Sequence, residues 1–500
     1  MDLVSSFLSK KNINNEEDIK FENYIKGEAK LNSEKQYIIE SSCCFDGNKD
    51  NFKRHYDENK ILEIHLNNML FEQDLVFDNV KKLSLIINDN VKFNKLFINN
   101  CNELYLQFNG RVEVIDKISI NDCKFKQISI NNHIDGNIEF QKCEFNDFNL
   151  YGFSNATIKG TFTFDFCEIK EKVNFMNFEF ENKVSFKMSK FKDNVYFNNS
   201  HFKDYAYFHE CEFEKTACFY GVRFDKAPNF SQAIFKGNLN AVNANLNFTF
   251  DDLQERIKQE YEDFNKNIEN KKSLDKFAND FRDSFRTFKS SLIKDNNLLD
   301  ASNFHKYELY CKELELKNKK GKTFKDVVDR WQLLFYRKLC DHHTDILQSL
   351  NSLILVIGIF VISSVAMVVG FNYSLGYKPI LEHWYFSLDF YNHHINSIIQ
   401  DNCLLMIFVN LMILFIYLCL VGFALCLKYM REFFIIISYV IIFLVLVVSP
   451  KILIPAMGIF TDKRALLDPL SMIGGIYTLI FAFIVYSFVK TIRKNSIVPS

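Results

Sequence analysis

Proline and glycine are scarce, 6 and 16 in 500 residues, and only 2 tryptophans occur. So few chain breakers exclude a collagen-like chain and leave no room for a linker-rich one. There is no net field: 60 Lys and Arg stand against 61 Asp and Glu, which gives no general attraction to nucleic acid or to an acidic substrate. Charged residues at 24% and hydrophobic ones at 48% exclude a disordered chain. No Cys-x-x-Cys pair occurs among the 13 cysteines, and the opening MDLVSSFLSKKNINNEED has neither the basic start nor the apolar core of a secretory signal. The thiols are therefore expected to be reduced and to pack as small apolar groups. Cys123, Cys143, Cys167 and Cys211 each stand two residues before a large apolar side chain, which fits that role.

Phenylalanine is plentiful instead, at 54 residues. From 164 to 235 large apolar residues fall at Phe164, Ile169, Phe175, Phe180, Phe186, Phe191, Phe197, Phe202, Phe208, Phe213, Phe219, Phe224, Phe230 and Phe235. The spacings alternate 5 and 6, an eleven-residue period. Mostly smaller residues stand two places earlier, among them Val173, Ser189, Ala206 and Val222. Neither the strand period of two nor the helical 3.6 fits the whole run. Residues two apart do share one face of a strand. Each pair is thus a very short strand with both residues inward, followed by a corner. Turning every five or six residues closes a coil in about four sides, and the coils stack as parallel strands.

This pattern resembles the pentapeptide-repeat family, in the variant where every second repeat carries one extra residue. The resemblance extends more weakly to Ile120, Phe125, Ile130, Phe140, Phe145 and Leu150. It implies a right-handed, quadrilateral parallel β-solenoid with Phe ladders along its axis. Phe178 and Pro228 occupy small-residue positions, so bulged coils are expected there. Upstream, Leu62-Glu-Ile64-His-Leu66, Leu83-Ser-Leu85-Ile-Ile87 and Leu104-Tyr-Leu106-Gln-Phe108 recur every 21 residues, one full turn in aliphatic form. Coils are expected over 36–248, with residues 1–35 as an N-terminal cap shielding the open end.

Beyond residue 248 the spacing becomes helical, with Phe277, Phe281, Phe285, Phe288 and Leu292 on one face. Residues 249–345 are read as a helical connector that closes the solenoid's other end and carries a juxtamembrane basic segment. Its run from Lys317 to Lys325 holds five Lys and no acid, which suits anionic lipid. Gly321-Lys322-Thr323 is not a phosphate loop, since Leu316 stands where the first glycine is required. Residues 346–500 are expected to form a transmembrane domain, with uncharged spans at 353–371, 403–427, 433–448 and 470–489. The stretch 433–448 is short and must borrow from its flanks. Asn410 is expected to bond a neighbouring helix, and Gly474-Gly475 to mark close packing in the last span.

No catalytic, cofactor-binding or metal residue stands out, and no cofactor is expected. Cys340, His342 and His343, or His383, His393 and His394, each fall short of a four-ligand set. Arg337 and Lys338, Lys428 and Arg431, and Lys490, Arg493 and Lys494 flank the spans so as to put both termini in the cytoplasm. The fold class is therefore a β + α membrane protein: solenoid, helical connector and four-helix transmembrane domain. The functional expectation is a non-enzymatic, multi-pass protein of the bacterial inner membrane whose cytoplasmic solenoid serves as a scaffold. Its partners would be the lipid bilayer, a protein on a solenoid face, and a second copy through the transmembrane domain; nucleic acid is not expected. The alternative is an ion channel or sensor gated by the solenoid, with the loop 372–402 re-entrant. Against a potassium-type filter, no glycine occurs between Gly376 and Gly422.

Overall fold

The structure, a computed structural model, describes residues 30–31, 37–40, 62–66, 70–71, 74–88, 91–109, 112–130, 134–146, 148–149, 157–266, 271–377, 384–448 and 467–495. The chain divides into two compact units, Met1–Lys320 and Gly321–Ser500. Apart from the strand Lys30–Leu31, the expected N-terminal cap at 1–35 lies outside the described residues.

In the first unit the alternating pattern becomes a four-sided coil of parallel two-residue strands. Side one stacks Glu179–Phe180, His201–Phe202, Arg223–Phe224 and Asn245–Leu246. Side two stacks Phe162–Asp165, Val184–Ser185 and Ala206–Tyr207. Side three stacks Glu168–Ile169, Lys190–Phe191, Glu212–Phe213 and Ile234–Phe235. Side four stacks Val173–Asn174, Val195–Tyr196, Ala217–Cys218 and Leu239–Asn240. Each step is 22 residues, so every inward Phe meets the Phe one coil away. Phe191 stacks on Phe213 at 5.1 Å and 3°, and Phe208 on Phe230 at 4.5 Å and 1°.

The aliphatic runs upstream are the same solenoid. Side three continues in register through Leu62, Leu83, Leu104, Phe125, Phe145 and Ile169. What changes is the corners. From Lys82 to Gln141 the strands run six to ten residues, with register shifts between Phe93 and Lys95, Phe125 and Gln127, and Asp135 and Asn137. Some corners are thus β-bulges inside continuous strands, which is why the five-residue rhythm disappears while the turn length persists. Gly136 serves one bulge at φ +151°, where a Cβ would lie 2.4 Å from that of Val114.

The other corners use single residues in the left-handed region. One column runs Asn79, Asn100, Asp122, Lys142, Phe166, Met188, Glu210, Gln232, and a second Asn177, Asn199, Gly221, Asn243. The residue after each points inward. After the first column these are Val80, Cys101, Cys123, Cys143, Cys167, Ser189, Cys211 and Ala233, seven of them buried and Ala233 packed against the core. Their thiols and hydroxyls donate to carbonyls of the coil before: Cys143 to Ile120 at 3.4 Å, Ser189 to Phe164 at 2.6 Å, Cys211 to Phe186 at 2.7 Å. Burial pushes the Cys101 thiol up to about 12, and the Cys211 thiol also upward. These are protonated packing groups, with Cys101 joining the four read from the sequence.

Neither expected bulge takes the form foreseen. Phe178 is buried without a register shift, stacked on Phe180 at 5.8 Å. At Pro228 the strand shrinks to one bridge, Tyr207 to Asn229. The proline falls on the final coil, where the N–H it lacks would have faced no further strand.

Helices α1 (Phe250–Asn265), α2 (Leu274–Lys294) and α3 (Leu298–Asn318) follow. The apolar face of α2 closes the solenoid's axis: Phe288 lies 4.7 Å from Phe230 and 5.8 Å from Phe219. Tyr307 of α3 donates to the carbonyls of Leu246 and Phe248, at 2.9 and 3.0 Å, and so satisfies the open end of side one. The hairpin is locked by Glu308, which is buried and accepts from Arg286 at 3.0 Å, Lys289 at 2.6 Å and His305 at 3.0 Å.

Burial alone would raise the Glu308 carboxyl, but those three bonds outweigh it and hold it at about 2. A depressed carboxylate stabilises the fold above its unfolded value of about 4.3 and loses that contribution as pH falls through the folded value. Glu308→Gln should remove on the order of 2–3 kcal/mol at neutral pH. It should also flatten the acid-induced loss between about pH 5 and 2. Unfolding midpoints measured against pH check both.

The second unit holds α4 (Phe324–Cys340), α5 (Ile346–Ser374), α6 (Trp384–Asp401), α7 (Cys403–Cys426), α8 (Lys428–Val448) and α9 (Pro469–Asn495). Four are long and apolar enough to cross a bilayer, over Ile346–Ser374, Cys403–Cys426, Tyr429–Val447 and Pro469–Arg493. The third span borrows its missing length from its N-terminal flank. The chain is a membrane protein.

Candidate functional site

Two places gather polar chemistry: the outside of the solenoid and the interior of the helical bundle. On the solenoid, outward residues two apart in a coil meet their equivalents one coil away, and the signs alternate. Lys190 and Lys236 both pair with Glu212, Lys215 with Asp193 at 2.7 Å, and Lys226 with Asp204 at 2.8 Å. Exposed pairs of this kind contribute at most about 1 kcal/mol each. Their effect is to cancel charge locally and leave the faces without a one-sign field.

Side two shows what such a face binds. Helix α1, started by the capping box of Thr249 and Asp252, folds back over it. Its Arg256 is 1% exposed, with the guanidinium 4.1 Å above the Tyr205 ring and 4.4 Å above Tyr207. Glu260, one helical turn on, pairs with Arg256 and accepts from Asn229 at 3.2 Å. A desolvated cation on two rings contributes about 2 kcal/mol or more. Where the cap meets the last coil, a crevice of about 360 Å³ opens beside α3, lined by Asn243, Asn245, Asp300, Asn303 and Lys306 among others. Asp300 already accepts from the Asn243 N–H at 2.8 Å, so this wall belongs to the cap.

Within the bundle, the polar groups join helix ends. Asp468, 1% exposed, caps α9 by accepting from the Leu470 and Ser471 N–H groups at 3.2 and 3.3 Å. Its Oδ1 also accepts from the Tyr391 hydroxyl at 2.8 Å, which fastens α6 to the start of α9. Asn410 donates to the Leu467 carbonyl at 2.9 Å, so the bond expected to a neighbouring helix goes instead to the turn that precedes α9. Asn372 donates to the Ser387 carbonyl at 2.7 Å. Ser387, Tyr391, Ile395 and Ile399 form the buried face of α6, four residues apart. From Trp384 the loop between the first two spans is therefore a packed helix; residues 378–383, and His383 among them, lie outside the described residues. At the other end Arg431 donates to the Lys338 carbonyl at 2.7 Å and to Ser352 Oγ at 3.1 Å, tying α8 to α4 and α5.

The close packing expected at Gly474-Gly475 lies elsewhere in the bundle. A Cβ on Gly474 or Gly475 would meet nothing within 4 Å, so that pair is not a packing site. The close approach is at Gly358, where a Cβ would lie 2.1 Å from Ser438 Oγ and 2.8 Å from its Cα. Helices α5 and α8 touch backbone to backbone there. As to the tempting histidines, Cys340 Sγ and His343 Nδ1 are 3.4 Å apart, and His394 stacks on Phe390 at 4.1 Å. No group of three His, Cys, Asp or Glu able to hold an ion occurs among the described residues. Asp468 and Tyr391 were not singled out by sequence reasoning; an Asp before a Pro at the start of a span was the available signal.

In comparison with known proteins, residues 164–212 match the family model for pentapeptide repeats, in nine copies. No curated protein and no solved structure matches the chain.

Proposed function

We propose that this pentapeptide-repeat protein is a non-catalytic, membrane-anchored scaffold, held by its four spans and presenting the solenoid's outer faces to a protein partner. The observation that carries the reading is the seat of α1 on side two. There the solenoid binds a helix through stacked tyrosines, an inserted arginine and an asparagine–glutamate bond. Side four repeats part of that chemistry with Tyr196, and the turn that follows its strand Ala217–Cys218 carries Tyr220, which is 39% exposed. A flat face of paired charges and tyrosines suits a helix or strand laid along it better than a small molecule.

On this reading the solenoid and both termini face the cytoplasm at a bacterial inner membrane, an orientation favoured by the basic residues flanking the spans. The rival is a channel gated by the solenoid. It gains little from α6, a helix pinned by Tyr391 and Asn372, and the bundle interior is filled by Tyr477 stacked on Phe360 at 3.9 Å.

The test uses the full chain with a photo-crosslinking residue at position 174, the exposed position one coil before Tyr196 on the same side. A specific partner should be captured and lost in Tyr196→Ala/Tyr220→Ala, while planar bilayers stay silent. Ion-selective unitary currents in those bilayers would replace the scaffold by the channel. A reporter after Ser500 that is active only outside the cytoplasm would reverse the orientation.

A further inference from the structure

Helix α4 precedes the first span and divides into two halves. Its C-terminal half is built into the bundle: Leu339 and Cys340 are buried, and Phe335 and Tyr336 lie 5.7 and 5.9 Å from Phe483. Its N-terminal half carries Phe324, Val327, Val328 and Trp331, spaced i, i+3, i+4, i+7 on one stripe. They are 85, 39, 45 and 62% exposed, and four such residues fall on one stripe, as they do on the outward faces of the spans at Leu404, Phe415 and Val447. The helix is firmly started, by the capping box of Thr323 and Asp326. Lys322 and Lys325 stand at this start, both exposed.

The depth of this helix follows from its contacts. Cys340 Sγ lies 3.9 Å from Ser487 Oγ, and His343 Nδ1 lies 3.2 Å from Thr491 Oγ1. Both partners sit in the closing turns of the span Pro469–Arg493. The C-terminus of α4 is therefore level with the membrane boundary where the first span enters and the last one leaves. Between α4 and α5, Asp341, His342 and His343 all adopt left-handed backbone, at φ 47°, 56° and 67°. Three such residues in succession break the helical path, so α4 does not run on as an extension of α5.

We infer that α4 is an in-plane membrane helix. Its stripe of Phe324, Val327, Val328 and Trp331 inserts among the lipid headgroups, and Lys322 and Lys325 select an anionic bilayer surface. A stripe of four apolar residues ending in Trp fits the interfacial zone, where an indole sits at headgroup level. The first span begins its own exposed apolar residues at Leu347, 72% exposed, a few residues past the end of α4. Lysines beside the stripe add attraction to anionic lipid that falls off with salt.

Fluorescence of the intact protein tests this, because Trp331 and Trp384 are the only two tryptophans. In Trp384→Phe, reconstituted into phosphatidylcholine vesicles containing phosphatidylglycerol, Trp331 should be shielded from aqueous iodide. Lipids brominated near the glycerol should quench it roughly twofold, and lipids brominated at the chain ends should quench it less. Lys322→Glu/Lys325→Glu should reduce that quenching in the anionic vesicles and leave it unchanged in pure phosphatidylcholine. The difference between wild type and Trp331→Phe gives the same reading with Trp384 retained. An indole open to iodide and untouched by bromolipid would overturn the placement. So would one shielded from both, which would mean that protein covers the stripe. Equal quenching in both vesicle types, insensitive to the lysine changes, would overturn the selection of anionic lipid.

Discussion

Phe208→Asp should unfold the solenoid well beyond its own coil. The ring stacks on Phe186 at 5.2 Å and on Phe230 at 4.5 Å, and meets Phe197 and Phe219 edge-on at 5.6 Å. Truncating a buried Phe alone costs about 3–5 kcal/mol. A carboxylate at a position with 0% exposure adds the cost of an unpaired buried charge, or of the proton needed to neutralise it. Two-residue strands cannot hold their own backbone bonds without neighbours above and below, so loss of one coil removes the partner of the next. The loss should reach the cap as well, since Phe230 is the ring against which Phe288 closes the end. Hydrogen exchange of the full chain in detergent should show protection lost together over 157–246 and in α2 and α3, while α5 to α9 keep theirs. A purely local loss around 208 would contradict the cooperative picture.

The second large effect belongs to the bundle. In Gly358→Val the new Cβ has no room, because the Cα of Ser438 would lie 2.8 Å away and cannot rotate aside as a side-chain tip could. Helices α5 and α8 must separate, and forced overpacking of this kind costs about 1–3 kcal/mol. Separation also strains the Arg431 bonds to Lys338 and Ser352 at the helix ends. Thermal unfolding in detergent should shift down clearly for Gly358→Val and hardly at all for Gly474→Ala, whose surroundings are open. Equal shifts would mean that the close contact is elsewhere.

The solenoid was legible because its inward residues repeat at the period of the coil, whatever their type. Leu62, Leu83 and Leu104 announce the same column as Phe191 and Phe213, and the pairing is in register with both. The corners were only half legible. Asn79, Asn100 and Asn199 are residues that tolerate left-handed backbone, but Lys142, Phe166, Met188, Glu210 and Gln232 adopt it too. At those positions the two flanking strands dictate the conformation, and local preference is overruled. Arg256 read as one more charge on a polar helix. Its partners, Tyr205 and Tyr207, are fifty residues away in sequence and come within reach only when α1 folds back. The glycines of the bundle fail for a related reason. A helix's own sequence does not say which side a neighbour approaches from, so the conspicuous Gly474-Gly475 is open while the single Gly358 is in contact.

Side three also makes the molecule a measuring rod. From Leu62–Leu66 to Ile234–Phe235 its strands follow one another as nine rungs of a single ladder. At about 4.8 Å per rung this spans roughly 40 Å. Since each rung recurs after a fixed 22 residues in the regular part, duplicating 190–211 would lengthen the rod by one increment of about 4.8 Å while leaving every face aligned. Whatever binds along it is thereby offered positions at discrete, adjustable distances from the cap.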